Sequence, residues 1–253
     1  LELPGYKPTL DPNPKMIQQA ANLIKNSKKP ILYVGGGIIH SKANKELFDL
    51  ATKFNIPVVT TLMGRGAFPD GHELCLEMPG MHGNYTATTS IQKSDLLIAI
   101  GVRFDDRVTA NPSFFAQNAK VIHADIDPAE IGKVREAQVP IVGDAKSVIL
   151  GLIDALQDEE LDTKNWINEL NSMKTEHPLS YNQDENGPLK VPFVLEELQD
   201  LTEEGAIVVS GVGQHQMWIS QHWNFTEPNT WLNSGGLGTM GYSLPAAIGA
   251  KTA

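Results

Sequence analysis

The sequence has 253 residues, 41% hydrophobic and 20% charged, enough apolar material for one large or two smaller globular domains. Its formal net charge of −10 disfavours a nucleic-acid partner, because an acidic chain repels phosphate backbones; small anions could still bind through local arginines and helix N-termini. The single cysteine, Cys75, excludes an internal disulfide framework, and no apolar run approaches the roughly 20 residues that span a bilayer.

The opening stretch, Leu1 to Asp11, is Pro-rich and lacks the basic, apolar pattern of a signal peptide. Cytoplasm is the expected compartment, or an organelle stroma or matrix if a transit peptide has been removed. Neither a membrane nor a nucleic-acid partner is expected. Both ends look cut: an extended segment, Leu3 to Pro8, starts the chain, and the helix pattern Leu244 to Ala250 runs to its end.

In chain order, Asn13-Pro14 reads as an N-cap and first helical residue, followed by an apolar face of Ile17, Ala20, Ala21, Leu23 and Ile24. Pro30 to Val34 is a buried strand that ends in the tight turn Gly35-Gly36-Gly37. Ala43, Leu47, Leu50, Ala51 and Phe54 recur at helical spacing, and Pro57 to Thr60 is the next strand. Further strands are Leu96 to Ile100, Val121 to Ala124 and Ile141-Val142, with a helix beginning near Pro128 and another over Ala145 to Leu156. Five apolar strands alternating with helices predict an α/β fold, a doubly wound parallel sheet of Rossmann-like type. The strands end in Gly, Asp or Thr, as suits the carboxyl edge where such sheets bind ligands.

Gln157 to Pro188 changes character. Polar runs flank a helix carrying Trp166, Ile167, Leu170 and Met173, read as a solvated linker. Pro192 to Leu201 reads as a helix and Ala206 to Ser210 as a strand; the following Gly211 to Trp218 makes this the start of a second α/β domain.

The triple glycine could let backbone N–H groups approach a phosphate. A nicotinamide site is disfavoured, because the second strand ends in Thr60-Thr61 and not in an acid. Gly101-Val102-Arg103-Phe104-Asp105-Asp106-Arg107-Val108 is more informative: two arginines directly after a buried strand can grip a diphosphate or carboxylate, at about 1.5–3 kcal/mol per charged hydrogen bond. Asp125 could accept from ribose hydroxyls, and Asp127 suits an N-cap. Met81 could line an adaptable pocket. The seven histidines show no zinc-enzyme spacing, so no metal ligand is assigned in this chain. Trp218, Trp223 and Trp231 read as packing residues.

Taken together, Leu32 to Gly37, Pro79 to Gly83, Gly101 to Val108, Gly211 to Trp218 and Gly235 to Tyr242 resemble the catalytic subunits of the acetohydroxyacid synthase (acetolactate synthase) family, in order and spacing, across essentially the whole chain. The strings R-F-D-D-R and G-Q-H-Q-M-W are specific, the glycine turn is not, and Pro79 departs from the Leu of many members. The resemblance implies a thiamine diphosphate enzyme that joins two 2-ketoacids, pyruvate with pyruvate or 2-ketobutyrate, with loss of carbon dioxide, towards the branched-chain amino acids.

It also implies a central FAD domain over residues 1–157, a linker over 158–188 and the first part of a diphosphate-binding domain over 189–253. FAD would be lined by Gly35, Gly36, Gly37, Thr60, Thr61, Leu62, Met63, Gly80, Met81, His82, Gly101, Val102, Arg103, Asp105, Val108, Asp125, Ile126 and Asp144. Arg107 would meet a ketoacid carboxylate, with Met81 and Asp106 beside the substrate channel. Gly213, Gln214, His215, Gly238 and Met240 would face thiamine diphosphate. The activating Glu and the Mg²⁺-binding G-D-G…N-N segment of the family lie outside this sequence, so the chain alone is expected to be inactive. Implied partners are further catalytic subunits, as a dimer or tetramer, and a small regulatory subunit. The runner-up is a fragment of a related FAD and thiamine diphosphate oxidase or decarboxylase; a non-enzymatic nucleotide-binding module is disfavoured by the second domain start.

Overall fold

A computed structural model describes Gly5 and residues 7–253, so the extended start read at Leu3 to Pro8 lies partly outside the described residues. Helix α1 (Pro14–Asn26) begins as its sequence dictates: the Asn13 side chain accepts from Lys15 N at 2.9 Å and Pro14 takes the first helical position. Then follow β1 (Pro30–Val34), α2 (Gly36–His40), α3 (Asn44–Phe54), β2 (Val58–Thr60), a 3₁₀ turn (Leu62–Gly64), α4 (Tyr85–Lys93), β3 (Leu96–Ile100), α5 (Asp106–Thr109), β4 (Lys120–Asp125), β5 (Val139–Val142), α6 (Ala145–Ala155) and α7 (Lys164–Glu176).

The five strands form one parallel sheet in the order β2-β1-β3-β4-β5. The chain leaves β1 for one edge and returns to β3 on the other side of β1. The strand order therefore reverses between β1 and β3, and their carboxyl ends open a crevice there. Successive strand residues serve opposite faces. Leu32, Val34, Ile98 and Ile100 pack under α1, α3 and α6, whereas Ile31, Tyr33, Leu97 and Ala99 pack under α4 and α7.

Three local expectations are corrected. The glycines after β1 do more than turn: Gly36 starts the short helix α2. No helix forms near Pro128, where residues 128–135 make turns and Asp127 accepts from Ala129 N at 2.9 Å inside one of them. Helix α7 is no solvated linker. Trp166, Leu170 and Met173 are buried against the second sheet face, and the Trp166 indole N–H donates to the Pro30 carbonyl at 3.1 Å. A three-residue apolar stripe at i, i+4 and i+7 is enough to seat an otherwise polar helix.

The remaining elements build a smaller unit: α8 (Val191–Asp200), β6 (Val208–Val209), α9 (Gln214–His222), β7 (Trp231–Leu232) and α10 (Ser243–Thr252), with β6 and β7 paired in parallel. Its small core is Ile219, Phe225 and Trp231, the last two stacked at 5.0 Å, and Leu62 from the larger unit packs against it. Among the described residues no helix is long and apolar enough to cross a membrane.

Candidate functional site

Two grooves meet above the carboxyl edge of the five-stranded sheet. The first, about 590 Å³, lies over the reversal point and runs from α2 to the start of α6. It gathers most of the residues expected to line a dinucleotide: Gly35, Gly36 and Gly37 after β1, Met63 after β2, Gly101, Val102, Arg103 and Asp105 after β3, Asp125 and Ile126 after β4, and Asp144 after β5. His40, Ser41, Thr61 and Glu130 also line it; of these, His40, Ser41 and Glu130 carried no motif that could have marked them.

The floor is main chain. Gly37 N donates to the Gly101 carbonyl at 3.1 Å, and a Cβ on Gly101 would stand 2.7 Å from Gly37 Cα. Gly101 also has φ +59°, a left-handed conformation that favours glycine. The carboxylates above this floor differ in their surroundings. Burial pushes Asp125 above the ordinary carboxylate range, partly offset by the hydrogen bond it accepts from Asp127 N at 2.9 Å. Asp144 is the N-cap of α6, accepting from Lys146 N at 3.0 Å and Ser147 N at 3.4 Å.

The second groove, about 400 Å³, lies between the two units. The larger unit contributes Leu62, Met78, Pro79, His82, Arg107 and Val108; the smaller contributes Gly213, Gln214, Gln216, Met217, Ser234 and Gly238. Thr61, Met63 and Asp105 line both grooves. Met217 and Gln216 stand within the G-Q-H-Q-M-W string, where nothing in their spacing marks them as groove residues. Gln216 is buried and donates from Nε2 to Asn233 Oδ1 at 3.1 Å, so a polar pair forms part of this wall.

Asp105 links the grooves. It accepts from Arg103 Nη2 at 2.6 Å on one oxygen and from Arg107 N at 3.1 Å and Nη1 at 3.2 Å on the other. Burial alone would raise its pKa, but these donors and the Arg103 charge outweigh it and hold Asp105 below the usual carboxylate range. The bend that allows this is made at Phe104, a buried residue at φ +54°. Its ring is held edge-on by Tyr33 at 5.4 Å, Phe115 at 6.1 Å and His123 at 4.9 Å. His123 bonds through Nε2 to the Val102 carbonyl at 2.9 Å, and burial pushes its pKa down, so the neutral ring with Nε2 protonated donates there.

Other expected residues stand apart from both grooves. Thr60 is buried below them, its hydroxyl accepting from Arg65 Nη1 at 3.3 Å. Gly80 and Met81 belong to a loop pinned beside Arg107, with Met81 N donating to the Arg107 carbonyl at 2.8 Å, and the Met81 side chain is exposed. His82 and Val108, expected against FAD, line the second groove, as does Leu62. Asp106 is exposed and pairs with Arg107 Nη1 at 3.2 Å. His215 lies in the first turn of α9 and Met240 is exposed; neither lines a groove. Among the described residues no three His, Cys, Asp or Glu side chains gather as a metal site.

Comparison with known proteins agrees with this layout. Residues 17–152 match the central domain of thiamine pyrophosphate enzymes, and residues 211–253 match the C-terminal thiamine pyrophosphate binding domain. The chain is 53% identical over its full length to an acetolactate synthase of Mycobacterium leprae, of which it covers 41%. It is 51% identical over 99% of its length to an acetolactate synthase large subunit of Corynebacterium glutamicum, and 46% identical over 99% to chloroplastic acetolactate synthase 1 of Nicotiana tabacum, covering 41% and 38% of them. The chain thus spans about two-fifths of the length of the curated relatives it matches. The central-domain match takes in more than half of the chain, including the whole five-stranded sheet, and the chain belongs to the thiamine pyrophosphate enzyme family.

Proposed function

We propose that this chain carries the flavin groove and one wall of the thiamine diphosphate groove of an acetolactate synthase, which condenses pyruvate with a second 2-ketoacid and releases carbon dioxide. In this reading 1–157 is the FAD domain, 158–188 follows it with α7 packed back onto the sheet, and 189–253 opens the diphosphate-binding domain. The observation that carries the reading is Asp105, held by one arginine from each groove.

The donor set of the first groove fits FAD. A glycine floor lets a ligand approach the main chain, Arg103 offers a charged fork for the diphosphate, and Asp125 and Glu130 can accept from sugar hydroxyls. The second groove fits thiamine diphosphate: Gly213 and Gln214 open α9, whose free N–H groups suit a phosphate. When bound, that cofactor supplies the carbanion chemistry. Mg²⁺ accompanies its diphosphate and is held, in this reading, by residues outside the chain. Arg107 binds the carboxylate of the ketoacid, Asp105 and Asp106 fix the Arg107 fork, and Leu62, Met63, Met78, Val108 and Met217 keep water from the reacting carbons. Further catalytic subunits and a small regulatory subunit are the partners this activity implies.

The test is Arg107→Ala in the full-length catalytic subunit. The expected result is a rise in KM for pyruvate of about tenfold or more, with bound flavin unchanged, because a charged hydrogen bond to substrate is lost. An unchanged KM, or loss of flavin with it, overturns the assignment.

A further inference from the structure

Arg65 and Asp70 form a buried bidentate ion pair, Nη1 to Oδ1 and Nη2 to Oδ2, both at 2.6 Å, with side chains 2% and 0% exposed. Both residues follow the 3₁₀ turn that carries Leu62 and Met63, the groove-lining residues of this segment. The pair reaches across to the smaller unit. Phe225 N donates to Asp70 Oδ2 at 2.7 Å, Asp70 N donates to the Phe225 carbonyl at 3.2 Å, and the Arg65 guanidinium lies 5.6 Å from the Phe225 ring centre. Phe225 in turn stacks on Trp231 of β7, whose indole N–H donates to Ser210 at the end of β6. At Gly66 the two units approach so closely that a Cβ would stand 2.3 Å from the Glu227 carbonyl oxygen.

Simple stability does not explain this arrangement. An isolated buried ion pair contributes little beyond what well-packed apolar side chains of the same volume supply. Here it also leaves Arg65 Nε buried without a partner. What an apolar pair could not do is grip a main-chain N–H of the other unit. Asp70 Oδ2 does that, and Arg65 holds the carboxylate in the orientation that permits it.

We propose that Arg65 and Asp70 are positioning residues: a clamp that sets the distance between the two walls of the second groove by holding Phe225, and with it β6, β7 and the start of α9, against the turn that carries Leu62 and Met63. The consequence for thiamine diphosphate rests on the function proposed above; the clamp itself does not.

The test uses the full-length catalytic subunit and two double variants that both discard the buried charges. In Arg65→Met with Asp70→Asn, the Asn oxygen still accepts from Phe225 N. In Arg65→Met with Asp70→Leu, that bond is gone. Hydrogen exchange by mass spectrometry reads the 223–232 segment, and titration reads flavin content and half-saturation by thiamine diphosphate. The Asn double variant, which keeps the bond to Phe225 but not the Arg65 grip that orients it, is expected to retain flavin and to show only about a two- to threefold rise in the other two readings. In the Leu double variant, exchange in 223–232 and the half-saturating thiamine diphosphate concentration are each expected to rise about tenfold, with flavin content retained. Gly66→Ala, which wedges the same seam without touching the pair, is expected to give the same signature and carries the test if the Leu variant does not fold. Indistinguishable double variants, or faster exchange throughout the chain with loss of flavin, overturn the clamp. So does parental exchange in Gly66→Ala. Faster exchange in 223–232 in a protein whose parent binds no thiamine diphosphate sustains the clamp and overturns the function instead.

Discussion

Phe104 holds a left-handed backbone at φ +54° without being glycine, a conformation that costs of order 1 kcal/mol or more and persists only where the surroundings over-determine it. The surroundings are Tyr33, Phe115 and His123, and the outcome is a chain that presents Arg103 to one groove and Arg107 to the other. Arg103→Ala is therefore expected to weaken FAD binding about tenfold, and Arg107→Ala by no more than about twofold. Both guanidinium groups are more than half exposed, so solvent screening keeps the effect at the lower end of charged hydrogen bonds. Flavin fluorescence titration checks it, and equal losses refute the division. His123 gives a pH signature. Its folded pKa lies below its ordinary value because burial penalises the charged ring, outweighing Asp125 and Glu130 nearby. The unfolded chain then binds the proton more readily. The stability linked to His123 is full above pH of about 6.5 and is lost as pH falls from there through the folded pKa. In His123→Gln that part of the acid destabilisation should vanish; urea unfolding from pH 7.5 to 5 in both proteins measures the difference, and parallel curves would exclude it.

Helix α7 makes its contribution through three side chains. Trp166→Ala removes a fully buried indole and its hydrogen bond to Pro30, and is expected to destabilise the larger unit by about 3–5 kcal/mol. A solvated helix would tolerate the change within about 0.5 kcal/mol. Chemical denaturation of the two proteins decides between these. The same helix shows where a sequence stops being legible. The strands could be read because continuous apolar runs closed by Gly, Asp or Thr leave few alternatives to a parallel sheet. The ligand edge followed from where those runs end. The α7 stripe could not be weighed, because its burial depends on a sheet face built from distant parts of the chain, the earliest of them Pro30, 136 residues before Trp166. After β4, Asp127-Pro128 has the pattern of a helix start, yet its side-chain bond closes only one turn. The Arg65–Asp70 pair is illegible in the sequence for a similar reason. Five residues apart in a loop, it has meaning only beside Phe225. His40, Ser41 and Glu130 are ordinary surface residues until the crossovers bring them to the groove rim.

At the scale of the whole molecule, the first groove draws on the carboxyl ends of all five strands, so a ligand there ties the sheet together. FAD at about 100 times its dissociation constant should stabilise the folded chain by about 2.7 kcal/mol, visible as a higher melting temperature in differential scanning fluorimetry. An unchanged transition at saturating FAD would count against flavin binding. The two grooves also share an account at Asp105. One carboxylate serves two arginines, so the grooves compete for a single counter-ion. An anion that draws Arg103 away leaves Arg107 as the remaining guanidinium on Asp105, tightening that bond and reducing the reach of Arg107 towards a second anion. Occupancy of one groove thereby lowers affinity in the other, and the penalty is the same in both directions by thermodynamic linkage. With both arginines this exposed, it amounts to no more than about 1 kcal/mol, or about fivefold in a dissociation constant. The pair acts as a mild antagonism built from one negative charge, and Asp105→Asn would release both arginines from it at once.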